Sequence, residues 1–105
     1  MPGMNKSSRT ISLILSMLAR LETDESSTAL DALGLLDEIR RLRRKWDAQV
    51  AANSPRRIDS DFREMNGWLR RWTIAAKQIL ARDDVAQLRA AVDEAQGEID
   101  RERQR

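Results

Sequence analysis

The sequence predicts an all-α protein, a small antiparallel bundle of three to four helices completed by dimerisation. Three observations predict it. Ala, Leu, Arg, Glu, Asp and Gln dominate, against only 4 Gly and 2 Pro. Phe62, Met65, Leu69, Trp72, Ala76 and Ile79 recur at steps of three and four, which gives a helix one narrow apolar seam that needs a partner helix. The 105 residues fit a single domain, 34% charged and 4% aromatic. That is thin core material, yet too aliphatic for a disordered chain.

Residues 1–7 read as a mobile arm carrying Pro2 and Gly3. Ser7, Ser8 and Thr10 are candidate N-caps for the next segment. From Ile11 two patterns overlap. Ile11, Ile14, Leu18 and Leu21 have helical spacing, while Ile11, Leu13, Leu15 and Met17 alternate as in a strand. Leu, Met and Ala favour helix, and Ile14 spoils the alternation. With Leu13 and Leu15 also apolar, such a helix is hydrophobic on more than one side and calls for wide burial or another chain. On the strand reading, a strand followed by two helices resembles the element order of ribbon-helix-helix DNA-binding dimers. That resemblance implies a groove-reading role for Arg9, Thr10 and Ser12.

Glu22 to Thr28 is polar and Ser-rich, a loop. Thr28 with Asp31 resembles a capping box with a shortened acid. A second helix is expected from about Ala29 to Ala52, with a seam of Ala32, Leu35, Ile39, Leu42 and Trp46. Leu33 and Leu36 widen it, and Gly34 marks a candidate close crossing. Asn53, Ser54 and Pro55 end it. Arg56 to Ile58 read as a short loop, and Asp59 or Ser60 as the cap of the third helix. The seam loses phase after Ile79, and Val85, Leu88, Val92, Ala95 and Ile99 begin a new series. Asp83 and Asp84 suit caps, so a turn near Arg82–Asp84 should precede a fourth helix to about Glu102. An unbroken helix with a stutter is the alternative. Residues 103–105 should fray.

Composition narrows the function. Nineteen basic against seventeen acidic residues leave a formal charge of +2, too balanced to signal nucleic acid by itself. With no Cys and no His, the chain lacks thiolates, the usual general base near neutral pH and the commonest metal ligand. We therefore expect a non-enzyme without metal or cofactor. No apolar run reaches the roughly 20 residues that span a bilayer. Ile11–Ala19 is interrupted by Ser12 and Ser16, and Met17 stands where a cleavable signal would need a small residue. A cytoplasmic location is expected, with no membrane partner.

Two stretches could carry function. Trp68 and Trp72 stand one turn apart with Arg70 and Arg71 between. Trp and Arg anchor protein interfaces, and Trp68 at the seam's edge should stay partly exposed in a monomer. Leu15, Leu18, Trp68 and Trp72 are the expected partner contacts, whereas Trp46 reads as core. Arg40, Arg41, Arg43, Arg44 and Lys45 form a basic run that Arg56 and Arg57 could extend toward phosphates. At 100° per residue they spread around the helix, and Asp37 and Glu38 can pair with Arg41. The leading expectation is a small regulator or adaptor that masks another protein by helix packing, as antitoxins, secretion chaperones and anti-activators of transcription factors do. Its expected state is a homodimer. The alternative is a nucleic-acid-binding transcriptional regulator using the basic run.

Overall fold

The computed structural model describes residues 6–52 and 56–103, with side chains over 9–48 and 62–101. Four helices follow in order: α1 Lys6–Thr23, α2 Ala29–Ala52, α3 Arg56–Arg82 and α4 Ala86–Arg103. No strand occurs among the described residues. Ile14, Leu18 and Leu21 are buried at helical spacing, which settles residues 9–18 as helix. The ribbon-helix-helix order falls with the strand.

α2 and α3 form the central pair. α1 packs on both, α4 packs on both, and α1 and α4 do not meet among the described residues. Trp46 of α2 lies by Phe62 and Trp68 near the start of α3, and Ala32 lies by Trp72 further along, so α2 and α3 run antiparallel. The body is 17 Å through its thinnest axis, room for two helix layers, so outward faces carry no further layer.

The predicted seams are the core. Met65, Leu69, Trp72, Ala76 and Ile79 of α3 are buried, as are Ala32, Leu35, Ile39, Leu42 and Trp46 of α2 and Leu88, Val92, Ala95 and Ile99 of α4. Asn66, Trp68, Thr73 and Ala75 widen the buried face of α3 because it supports three neighbours. Polar groups taken inside are satisfied. The Trp72 indole N–H donates to the Ala32 carbonyl at 2.8 Å, and the Thr73 hydroxyl to the Leu69 carbonyl at 2.8 Å. Among the described residues no buried side-chain polar atom lacks a partner.

Local chemistry sets the ends. Thr28 and Asp31 close a reciprocal capping box: the Thr28 N–H donates to the Asp31 carboxylate at 2.9 Å, and the Asp31 N–H to the Thr28 hydroxyl at 3.3 Å. The connection before it is an Asp24 turn, in which the Ser26 N–H and hydroxyl both donate to the Asp24 carboxylate. α3 and α4 are separate helices, broken at 83–85 where the two seams change phase.

Several boundaries differ from expectation. α1 starts at Lys6, so Ser7, Ser8 and Thr10 lie inside it, and Lys6 and Ser7 do not belong to an arm; residues 1–5 lie outside the described residues. α3 starts at Arg56, so Arg56–Ile58 are helical and Asp59 and Ser60 are not caps: nothing in Arg-Arg-Ile opposes a helix. Asp83 and Asp84 do not stand at the cap of α4, which opens only at Ala86; Asp84 pairs with Arg89 instead. Arg103 is helical, while 53–55 and 104–105 lie outside the described residues. Gly34 is no crossing point, since a Cβ built there meets nothing within 4 Å.

Candidate functional site

The four expected partner contacts do not form a surface. Leu18 and Trp72 are 0% exposed and Trp68 4%, each inside the chain's own core, and Leu15 is half-buried on α1. Trp68 is covered because Trp46 reaches it from α2, ring centroids 6.4 Å apart, and Phe62 lies 6.0 Å from Trp46 in turn. Those rings pack inside the chain's own core.

The basic run is largely engaged within the molecule. Arg40 reaches Glu94 at 3.4 Å and Glu98 at 3.5 Å on α4, and Arg43 reaches Glu98 at 3.3 Å. Arg41 pairs with Glu38 at 3.1 Å, one of the two pairings its spacing allowed. Arg44 and Lys45 are exposed and have no ion pair among the described residues. The side chains of Arg56 and Arg57 lie outside the described residues. The run is thus a strap joining α2 to α4, with a two-residue basic remnant, and not a continuous cationic strip.

A few large apolar side chains are left open among the described residues. Leu13 is 52% exposed on α1 and Leu30 is 78% exposed on α2. Met17 and Leu33 are half-buried, Met17 lining one hollow with Leu30 and Leu33 another. A cleft of about 230 Å³ separates α1 from α2, lined by Met17, Arg20, Leu21, Leu30, Asp31 and Gly34 among others. A second groove between α2 and α4 is lined by Leu33, Leu36 and Ala91, and Leu30 and Gly34 border both hollows. Gly34 carries no side chain to screen them, so Leu30 stands proud of a low floor.

No protein-family model, no curated protein and no solved structure matches the chain.

Leu30 was legible in principle. It lies about 140° around the helix from Leu35, hence opposite the α2 seam, and an apolar residue there is the signal of a second face. Ile74, 63% exposed, is different: it stands on α3 among Arg70, Arg71, Lys77 and Gln78 and joins no apolar neighbourhood. The α1 end of the face is fixed in position. The Arg71 guanidinium binds the Glu22 carboxylate in two-point fashion, and Arg82, the last residue of α3, donates to the Glu25 and Ser27 carbonyls of the α1–α2 connection. Hydrogen bonds from Arg71 pull Glu22 below its ordinary pKa of 4.5, and those from Ser26 pull Asp24 below 3.8. No group of three or more acidic side chains is placed to hold a metal among the described residues, and no helix there is long and apolar enough to cross a membrane.

Proposed function

We infer that this chain is a non-enzymatic regulator or adaptor of the cytoplasm that binds and masks another protein through helix packing. Its contact surface is the open face of the α1–α2 hairpin, centred on Leu30 with Leu13, Met17 and Leu33. The carrying observation is Leu30, an apolar side chain 78% exposed between two hollows in a chain whose other large apolar residues are mostly inside. Contiguous exposed apolar patches on small proteins mark partner sites. A partner helix laid along the cleft would bury them at helical spacing. Such a surface suits an antitoxin, a secretion chaperone or an anti-activator of a transcription factor equally.

The nucleic-acid reading draws on Arg44 and Lys45, while Arg40 and Arg43 are held by Glu94 and Glu98 on α4 and the exposed Arg41 is paired with Glu38 on its own helix. Affinity capture from the host lysate, with nuclease and a high-salt wash, tests both. One protein retained in stoichiometric amount by the native chain and lost with Leu30→Asp supports the masking function. Nucleic acid alone, lost on nuclease and salt, transfers the function to the basic remnant.

A further inference from the structure

We propose that the outward stripe of α2 docks antiparallel against the same stripe of a second copy of this chain. The proposal rests on the reading of the α2 face as an interface and commits that face to a partner. Leu30, Gly34, Asp37, Arg41, Arg44 and Ala48 are all exposed. They recur at steps of four, three, four, three and four, a second heptad-like seam on the side of α2 opposite its buried one. No described residue covers it.

The order of residue types identifies the occupant. Read forward, the stripe is Leu, Gly, Asp, Arg, Arg, Ala. Turned end for end about its midpoint, it sets Leu30 against Ala48, Gly34 against Arg44 and Asp37 against Arg41, and the two-fold axis repeats each pair. Apolar ends meet, opposite charges meet at the centre, and Arg44 lies over the one position without a side chain. Each layer across the pair is thus matched in charge or in size. On the flank, Asp31 falls beside Lys45 of the second copy. Glu38 approaches its own counterpart at the axis, where Arg41 already neutralises it at 3.1 Å. An acidic protein or a nucleic acid would suit Arg41 and Arg44 but would meet Asp31 and Asp37 on the same face. A two-fold copy suits both halves.

Sedimentation of the full chain at low and physiological salt tests the state, and introduced cysteines test the register, since the chain has none of its own. The native chain should be a reversible dimer that weakens with salt. Asp37→Arg or Arg41→Asp alone should weaken it by at least ~10-fold, and the double exchange should restore it. Leu30→Cys mixed with Ala48→Cys should cross-link on oxidation. Neither should cross-link by itself, because like positions lie about 27 Å apart along the antiparallel pair. Circular dichroism on each variant confirms that it is folded. A folded native monomer at every accessible concentration overturns the proposal. So does a dimer indifferent to the charge exchange, or one without the mixed cross-link. If the chain is monomeric but Leu30→Asp still releases a captured protein, the second-copy assignment fails and the masking function stands. If the dimer forms in the stated register and no protein is captured, the second-copy assignment stands and the masking function fails.

Discussion

The Arg71 guanidinium grips the Glu22 carboxylate at two points, Nε to Oε2 at 2.9 Å and Nη2 to Oε1 at 2.6 Å, and so fastens the end of α1 to the middle of α3. Among the described residues it is the shortest two-point ion pair joining two helices, and its energetics are bounded by exposure. The two side chains are 32% and 44% exposed, so solvent screens the pair and its worth stays below about 1 kcal/mol.

That pair sets an acid dependence. The hydrogen bonds from Arg71 lower the Glu22 pKa from 4.5, so the folded state releases this proton more readily than the unfolded chain. The stabilisation is complete above the ordinary value and is lost as pH falls from there through the folded-state pKa. Glu22→Gln should therefore lower stability slightly at neutral pH and make no difference in strong acid. Urea unfolding of both proteins across the acid range checks this.

Trp72 is the largest fully buried side chain, and its N–H is committed to the Ala32 carbonyl across the central helix pair. Trp72→Ala should cost about 3–5 kcal/mol through cavity and lost hydrogen bond together. Leu30→Asp should change stability by no more than about 0.5 kcal/mol, because the side chain touches little of its own fold. Denaturant midpoints separate the two, and only the second should abolish partner capture without loss of structure.

Gly34 lies in the interior of α2 with open space where a Cβ would go and no positive φ. Gly34→Ala should stabilise the chain by about 0.5–1 kcal/mol by restricting the unfolded state. Thermal unfolding at low protein concentration, where self-association contributes nothing, reads the gain.

Glu94 and Glu98 hold Arg40 and Arg43 against α4. Removing both acids by Glu94→Gln and Glu98→Gln should release those guanidinium groups and raise the salt needed to elute the chain from a polyanion resin. An unchanged elution position would show that the strap does not limit access to the basic run.

The helices were legible because their seams are local. Three- and four-residue steps fixed the buried sides of α2, α3 and α4, and the Thr28–Asp31 pair fixed the start of α2 within its own four residues. The break at 83–85 was visible as a phase change between Ile79 and Leu88. The site was less legible, since exposure depends on what other helices cover. Trp68 looks like an edge residue from α3 alone, and it takes Trp46, distant in sequence, to bury it. Arg40 and Arg43 look available until Glu94 and Glu98 arrive from α4. Leu30 attracts no notice when only the dominant seam of α2 is followed, though its angle places it on the opposite side.

The separation of α1 from α4 has a consequence for how the molecule can respond. With no contact between them among the described residues, an influence of α1 on α4 must travel through the shared α2–α3 pair. The tightly packed tryptophans make that pair stiff. Occupying the α1–α2 cleft should thus be felt locally, in the amide exchange of α1 and the 24–28 connection, while α4 keeps its own rhythm.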